Sequence, residues 1–459
     1  MVVSALSPQP GARSALTMST AAFTVCFAVW TIFSIIGIRI KQDLGLTEAQ
    51  FGLLAGTPIL TGSLVRVFLG VWTDQYGGRR VNLLVMLSAA LATFLLSRAH
   101  TYPEFLLAAL GVGMAGGSFA VGVAYVSKFF PKEKQGSALG VFGAGNVGAA
   151  VTKFAAPFVM LAMGWQAVAE IWAAVLAGMA ILFYLTTRDE PDLVERRRTG
   201  AKAEATLMQL SPLRSLQVWR FALYYFFVFG GFVALALWLP HYLVAAYHLP
   251  LVAAGMMAAA YSIPGSLFRV FGGWLSDRIG ARKVMYLTFG VAAICTFFLS
   301  YPPTSYVVDG IHGPIAFRIA TGLVPFTILL FCLGFAMSLG KAAVYKHIPV
   351  YYPGHIGSVG GLVGMIGGLG GFVLPIAFGE LNDLTGVWTS CFMLLFLLVT
   401  GALAWMHLAI RRMERAGAPG LAEMPELPEM ASLHADLQPQ PVSGATARVR
   451  AATPARGVL

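Results

Sequence analysis

The 459 residues are 58% hydrophobic and 11% charged, with a mean hydropathy of +0.75. Soluble domains carry roughly 25% charged residues, so the composition excludes a water-soluble globular protein and indicates a chain that crosses a membrane many times. The net charge of +11 is not a nucleic-acid footprint, because Lys and Arg gather in short loops of one sidedness.

Runs of about 18–25 apolar residues suit membrane-spanning helices. Twelve are read along the chain, at roughly 18–40, 49–73, 80–98, 104–129, 135–161, 165–187, 217–246, 251–276, 282–301, 317–343, 355–380 and 387–410, and are numbered span 1 to span 12. Residues 1–17 lack the apolar core and cleavage pattern of a signal peptide and are expected as a tail. The charged segment 188–216 is expected as a linker, with room for a short surface helix, between six-span halves at 18–187 and 217–411. Residues 412–459, with their Pro, Ala and Glu, are expected to be disordered.

The loops after spans 2, 4, 6, 8 and 10, with both tails, hold 23 of the 31 Lys and Arg, and the opposite loops hold Arg39, Lys41, Arg98 and Arg318. The positive-inside rule then sets both termini in the cytoplasm. The expectation is an all-α polytopic protein of a bacterial inner membrane, with the bilayer as its partner and a monomer as its state. Cys26, Cys295, Cys332 and Cys391 all lie in apolar runs without metal-ligand spacing, and the eight His show none either. No disulfide, metal or cofactor is expected.

The halves echo each other. GSLVRVFLGVWTDQYGGRR (62–80) in span 2 aligns without a gap to GSLFRVFGGWLSDRIGARK (265–283) in span 8, with 10 of 19 positions identical. FFPKEKQGSALGVFG (129–143) entering span 5 aligns to YYPGHIGSVGGLVG (351–364) entering span 11, sharing among others Gly140/Gly361 and Gly143/Gly364. Parallel six-helix repeats of this kind put a substrate site at mid-membrane between the halves.

Each copy of the first repeat buries one arginine, Arg66 or Arg269, two turns inside its span. An arginine at a helix centre costs roughly 2.5–3.5 kcal/mol on insertion scales. Pairing with a carboxylate or snorkelling is the plain alternative, but Arg66 is eight residues from Asp74, about 12 Å along a helix. No carboxylate is expected at mid-depth, Glu170 in the outer part of span 6 being the deepest. The missing partner is then a substrate anion, and a guanidinium fork matches a small planar oxyanion as lysine cannot.

The pattern Gly70, Asp74, Gly77, Arg79, Arg80 recurs as Gly273, Asp277, Gly280, Arg282, Lys283. Glycines permit the tight turn, and each Asp can cap the next helix and pair with arginines across the halves, so a conformational latch is expected. This duplicated pattern resembles the major facilitator superfamily, from about residue 18 to 411. FGAGNVGAAVTKFAAP (142–157) and GSVGGLVGMIGGLGGFVLP (357–375) carry close-spaced glycines, with Gly143, Gly145, Gly148, Gly364, Gly367 and Gly368 expected to let helices approach closely. These two stretches, with GGSFAVGVAYVSKFFPKEKQGSALG (116–140) and the twin arginines, resemble the nitrate/nitrite porter family.

That resemblance implies a secondary active transporter, not an enzyme, that moves nitrate and nitrite by alternating access. It implies an anion held between Arg66 and Arg269, with Asn146, Tyr225, and a sandwich of Phe119 and Phe229 as further substrate contacts. Plainer roles stay open: an interhelical hydrogen bond for Asn146, a lipid-interface position for Tyr225, and packing for the phenylalanines. GKAAVYKHIP (340–349) and FGAGNVGAAVTKF (142–154) are similar to the branch thought to run as proton symporters. Proton-coupled uptake is therefore expected, with nitrate/nitrite exchange as the alternative and another small organic or phosphorylated anion as a third substrate class. Lys153, Glu170, Lys341 and His347 are the coupling candidates. GVGMAGG (111–117) satisfies a dinucleotide fingerprint only in letters, since it lies in an apolar span with no strand before it.

Overall fold

The computed structural model describes residues 11–130, 132–199, 215–351 and 356–415. The expected tail 412–459 and much of the linker lie largely outside them, as do the side chains of Asp74 and Asp277.

Bilayer hydrocarbon offers no partners for backbone groups, so spanning segments satisfy their N–H and C=O internally as helices. Eleven described helices are long and apolar enough to cross a membrane, and Glu48–Tyr76, span 2, supplies a further traverse between them. The other spans are Ala12–Trp30 with Phe33–Leu44 (span 1), Gly78–Leu96 (3), Tyr102–Val112 with Ser118–Ser127 (4), Lys132–Gly143 with Gly148–Met163 (5), and Trp165–Thr186 (6). The second half has Leu216–Tyr225 with Phe232–Tyr247 (7), Leu251–Leu267 with Arg269–Ile279 (8), Ala281–Ser300 (9), Leu323–Tyr351 (10), Ile356–Thr385 (11) and Ser390–Arg415 (12). A nine-residue helix, Pro191–Thr199, starts the linker.

Five spans lose regular α geometry beside the residues that matter for the site. Span 1 breaks after Trp30, span 4 tightens to a 3-10 turn at Gly113–Gly117, and span 5 does the same at Ala144–Val147. Span 7 widens to a π turn at Phe226–Gly231, and span 8 breaks at Phe268, one residue before Arg269. Such departures cluster at functional sites because they re-aim side chains and free backbone groups.

The loop between spans 9 and 10 corrects one sequence expectation. Span 10 begins at Leu323 rather than at 317, because Thr304–Gly310 (β1) and Gly313–Ile319 (β2) pair as an antiparallel hairpin. TSYVVDG and GPIAFRI are rich in β-branched and aromatic residues and flank a two-residue Ile311-His312 turn, which is a hairpin pattern that a count of apolar residues overlooks. The hairpin marks the membrane face opposite the termini, called the hairpin side here.

On that side the halves are zipped along two seams. Spans 2 and 11 pack so closely that a side chain at Gly379, Gly52 or Gly56 would collide with the backbone of Glu48, Pro375 or Phe372. Spans 5 and 8 do the same at Gly255, which abuts the Lys153 carbonyl. Beyond the arginines, toward the termini, a Cβ at Gly70, Gly361, Gly140 or Gly273 would meet nothing within 4 Å among the described residues. Both seams are therefore closed from the hairpin side down to the arginines and part below them.

Candidate anion site

The two repeats cross at the closed ends of the seams. Arg66, on span 2, donates from Nη1 to the Gly364 carbonyl on span 11 at 3.1 Å. Arg269, on span 8, lies with its guanidinium 3.3–3.4 Å from where a Cβ on Gly143 of span 5 would stand. Gly143 and Gly364 are equivalent positions of the second repeat, so each arginine rests on the opposite half's matching glycine. Both arginines are buried, at 5% and 8% exposure, and among the described residues neither forms an ion pair with a carboxylate.

Aromatic rings wall the space. The Arg66 Cζ lies 5.5 Å from the ring centres of Trp30 and Phe119 and 5.6 Å from Phe229. The Arg269 Cζ lies 5.9 Å from Phe119 and 5.6 Å from Tyr345. Because Phe119 faces both, the guanidinium carbons are at most about 11 Å apart. At an effective dielectric near 20, two charges at that distance repel by ~1.5 kcal/mol. Tyr225 stacks on Phe229 at 5.0 Å and meets Tyr345 edge-on at 4.9 Å. The sequence-predicted Arg66, Arg269, Phe119, Phe229 and Tyr225 are thus brought together, and Trp30, Tyr345 and Ser63 join them. None of the three is charged; Trp30 and Ser63 sit in apolar runs, and Tyr345 lies between Lys341 and Lys346, past the span read from hydropathy.

Several buried polar atoms here have no hydrogen-bond partner among the described residues: Arg66 Nε, Arg269 Nη1, both amide atoms of Asn146, and Ser63 Oγ. A buried unsatisfied polar group costs roughly 1–3 kcal/mol, more when charged. Asn146 lies one turn along span 5 from Gly143, in the 3-10 segment that opens its helix. The arrangement can accept a small anion with several oxygen acceptors, with cations at two sides and flat apolar faces between them.

The predicted packing glycines have close neighbours. Gly145 abuts Phe23 and Gly148 abuts the Thr24 carbonyl, which presses span 5 onto span 1. Gly367 lies against Tyr225, Gly368 against Ser63, and Gly364 against the Tyr345 hydroxyl.

The expected latch rests on Asp74 and Asp277, whose side chains lie outside the described residues. Arg79 donates from Nε and Nη2 to the Tyr184 carbonyl at 3.0 and 2.7 Å and stands 3.7 Å from Asp189 at the start of the linker. Arg80 is exposed and Arg282 is buried. Gly77 and Gly280 take φ of 92° and 86°, which favour glycine. A carboxylate not singled out from the sequence, Glu190, accepts from the Gly78 N–H at 2.6 Å and caps span 3. Burial raises its carboxyl above the usual range, opposed by that hydrogen bond.

A second unforeseen cluster holds the hairpin side. Glu48 at the start of span 2 takes His241 Nε2 of span 7 at 2.7 Å and Lys41 Nζ at 2.9 Å. Asp383 of span 11 accepts from the Glu48 and Ala49 N–H at 3.2 and 2.9 Å, a negative charge on the exposed N–H groups of a helix start. A lone His in an otherwise apolar run was the available signal.

The coupling candidates scatter. Glu170 is half exposed, 3.5 Å from Arg98, and receives the Ser97 hydroxyl, away from the arginines. His347 is buried and stacks on Phe221 with rings 5.6 Å apart. Lys153 and Lys341 are fully buried, and both donate to span 8.

The chain matches the family model described as Major Facilitator Superfamily over residues 18–324. It is 42% identical over 421 residues to a probable nitrate/nitrite antiporter, NarK1, of Thermus thermophilus, covering 88% of this chain and 93% of that one. It is 32% identical over 390 residues to a probable nitrate transporter, NarT, of Staphylococcus carnosus, covering 85% and 93%. Among solved structures, a bacterial homologue of the human lysosomal transporter Spinster, inward-facing and occupied, matches with a TM-score of 0.66 at 16% identity over 88% of this chain and 98% of that one, a likeness of fold alone. Duplicated halves, crossed arginines and these relatives together establish that the chain belongs to the nitrate/nitrite porter family of the Major Facilitator Superfamily.

Proposed function

We propose that this protein carries nitrate, and nitrite with it, across the bacterial inner membrane by alternating access, with uptake driven by protons. Both termini then face the cytoplasm, the hairpin side faces outward, and a monomer suffices because one chain contributes both arginines. The observation that carries the reading is the crossed pair, Arg66 on Gly364 and Arg269 on Gly143, with N–H groups left for an oxyanion. The names of the relatives, a probable nitrate/nitrite antiporter and a probable nitrate transporter, support the substrate.

In this account the planar anion lies between the guanidinium groups, sandwiched by Phe119 and Phe229. The Asn146 amide and Tyr225 tell an oxyanion from a halide. Cation repulsion resists closing the site without an anion, so the loaded site closes more readily. That physics alone yields exchange of one anion for another, the second reading, which the printed name of the 42%-identical relative favours. Net uptake further requires protons, because importing one anion against 100 mV, inside negative, costs about 2.3 kcal/mol.

Nitrate uptake into proteoliposomes decides between the readings. Uptake under an inward proton gradient, with no internal anion, is the expected result. Uptake only when nitrite is loaded inside would replace symport by exchange, and no nitrate flux in either condition would refute the substrate.

A further inference from the structure

Three basic groups converge on one strip of span 8, formed by Ser262, Gly265 and Arg269. Lys153, from span 5, donates to Ser262 Oγ at 2.8 Å and to the Ala149 carbonyl at 3.2 Å. Lys341, from span 10, donates to the Gly265 carbonyl and holds its Nζ 3.4 Å from the centre of the Phe232 ring. Both are 0% exposed, and among the described residues neither pairs with a carboxylate. A buried lysine without a counter-charge is expensive at this depth and marks function by default.

The two lysines differ in what they tie together. Lys153 bridges the halves, so its bond to Ser262 must break whenever the hairpin-side seam opens. Lys341 stays inside the second half. Gly265, its acceptor, precedes Arg269 by one helical turn, and Tyr345, one turn along its own helix, faces Arg269. Span 7 presents the apolar Phe232 ring. Span 8 presents Arg269 and Tyr261, whose hydroxyl lies 3.2 Å from Met337 Sδ and 3.5 Å from the Phe232 carbonyl. Span 9 presents Thr288, beside Gly340. Span 10 itself adds Tyr345 and, further along, His347. Among these neighbours Arg269 is the permanent cation.

A proton on Lys341 is repelled by Arg269, and an anion at Arg269 cancels that repulsion. Proton and anion therefore favour each other's binding, and such coupling is reciprocal. We propose that Lys341 is the binding site of the co-transported proton, occupied when an anion lies between Arg66 and Arg269 and vacated when the anion leaves. The proposal rests on the symport reading above and gives it a residue. The amine takes a proton from water on the side of uptake to become an ammonium, and returns it to water on the other side. In both forms an N–H remains for the Gly265 carbonyl, so the residue need not move to titrate. One proton accompanies one monovalent anion, and the cycle moves no net charge.

The test uses purified full-length protein in proteoliposomes, with two assays on each variant: net nitrate uptake under an imposed pH gradient, and exchange of external labelled nitrate for internal nitrate at equal pH. Lys341→Met and Lys341→Arg, a neutral and a permanently charged side chain, are both expected to lose pH-driven uptake at least tenfold while exchange continues. Continuing exchange also certifies folding, and where one variant fails to fold the other decides. Lys153→Met, which loosens the seam, is expected to alter both modes together. PH-driven uptake that survives in either Lys341 variant overturns the proposal, as does a parallel loss of both modes in a variant that still shows nitrate-induced thermal stabilisation. Wild-type protein that exchanges nitrate but shows no pH-driven uptake would refute the symport reading itself, before any variant is compared. A valinomycin-clamped membrane potential should leave wild-type uptake unchanged, and uptake that follows the potential would overturn the one-proton stoichiometry.

Discussion

At the scale of single residues, the site depends on hydrogen-bond geometry as much as on charge. Arg66 spends one N–H on the Gly364 carbonyl and keeps Nε unpaired, so an incoming oxyanion meets a fork already fixed on one side. Lysine preserves the charge and loses the fork. Charge-assisted hydrogen bonds are worth about 1.5–3 kcal/mol each, so Arg66→Lys should weaken nitrate affinity by about ten- to a hundredfold or more, and abolish transport, while the protein still inserts. Uptake at the wild-type rate would remove the bidentate pocket from the account. Asn146 acts differently, since in this account its amide donates to one oxygen of an anion whose other oxygens reach the arginines, and a single halide ion cannot fill all those positions. Asn146→Leu should reduce nitrate affinity by about tenfold, at ~1–1.5 kcal/mol for one lost hydrogen bond, and narrow the preference for nitrate over chloride in competition assays. The arginines were legible in the sequence because a charge inside an apolar run is expensive and a duplicated one doubly so. Trp30 and Ser63 were not, because an uncharged residue in an apolar run looks the same whether it faces lipid or ligand, and Tyr345 was not because it falls past the apolar run that ends at 343.

At the scale of elements, the seams set the direction of opening. Asp383 of span 11 holds the first turn of span 2, and His241 of span 7 holds Glu48 beside it. Removing a helix-start acceptor costs typically ~1 kcal/mol, so Asp383→Ala should raise the population open on the hairpin side about fivefold. A cysteine replacing the buried Ile59, in a cysteine-free background, reports this as faster labelling by an impermeant maleimide. Unchanged labelling would show that the cap does not hold the seam.

Helix existence was readable from apolar runs in nearly every span, whereas the breaks at Phe268 and Phe226–Gly231 were not. They arise from packing between spans rather than from local sequence. The β1–β2 hairpin was legible in principle, in the alternation of TSYVVDG and GPIAFRI, but hydropathy alone merged its second strand into span 10.

At the scale of the whole molecule, the duplication becomes a mechanism through the crossing of its repeats. Arg66 touches Gly364 and Arg269 faces Gly143, so moving either half shifts both cations relative to both glycine-rich helices. Gly70 with Gly361, and Gly140 with Gly273, face open space on the terminal side. Closing that side while the hairpin side opens should bring these pairs together. Cysteines at 70 and 361 should therefore cross-link slowly in a form whose hairpin-side seam is locked, and faster when Asp383→Ala loosens it. A cross-link that forms equally fast in both would contradict rocking about the arginines.

The most direct test of that central claim is calorimetric binding of nitrate to the purified protein, with Arg66→Lys and Arg269→Lys beside the wild type. The account predicts one nitrate bound per wild-type chain, and in either variant a loss too large to be explained by misfolding, which thermal melting would monitor. Wild-type affinity in either arginine variant would show that the anion does not lie between Arg66 and Arg269.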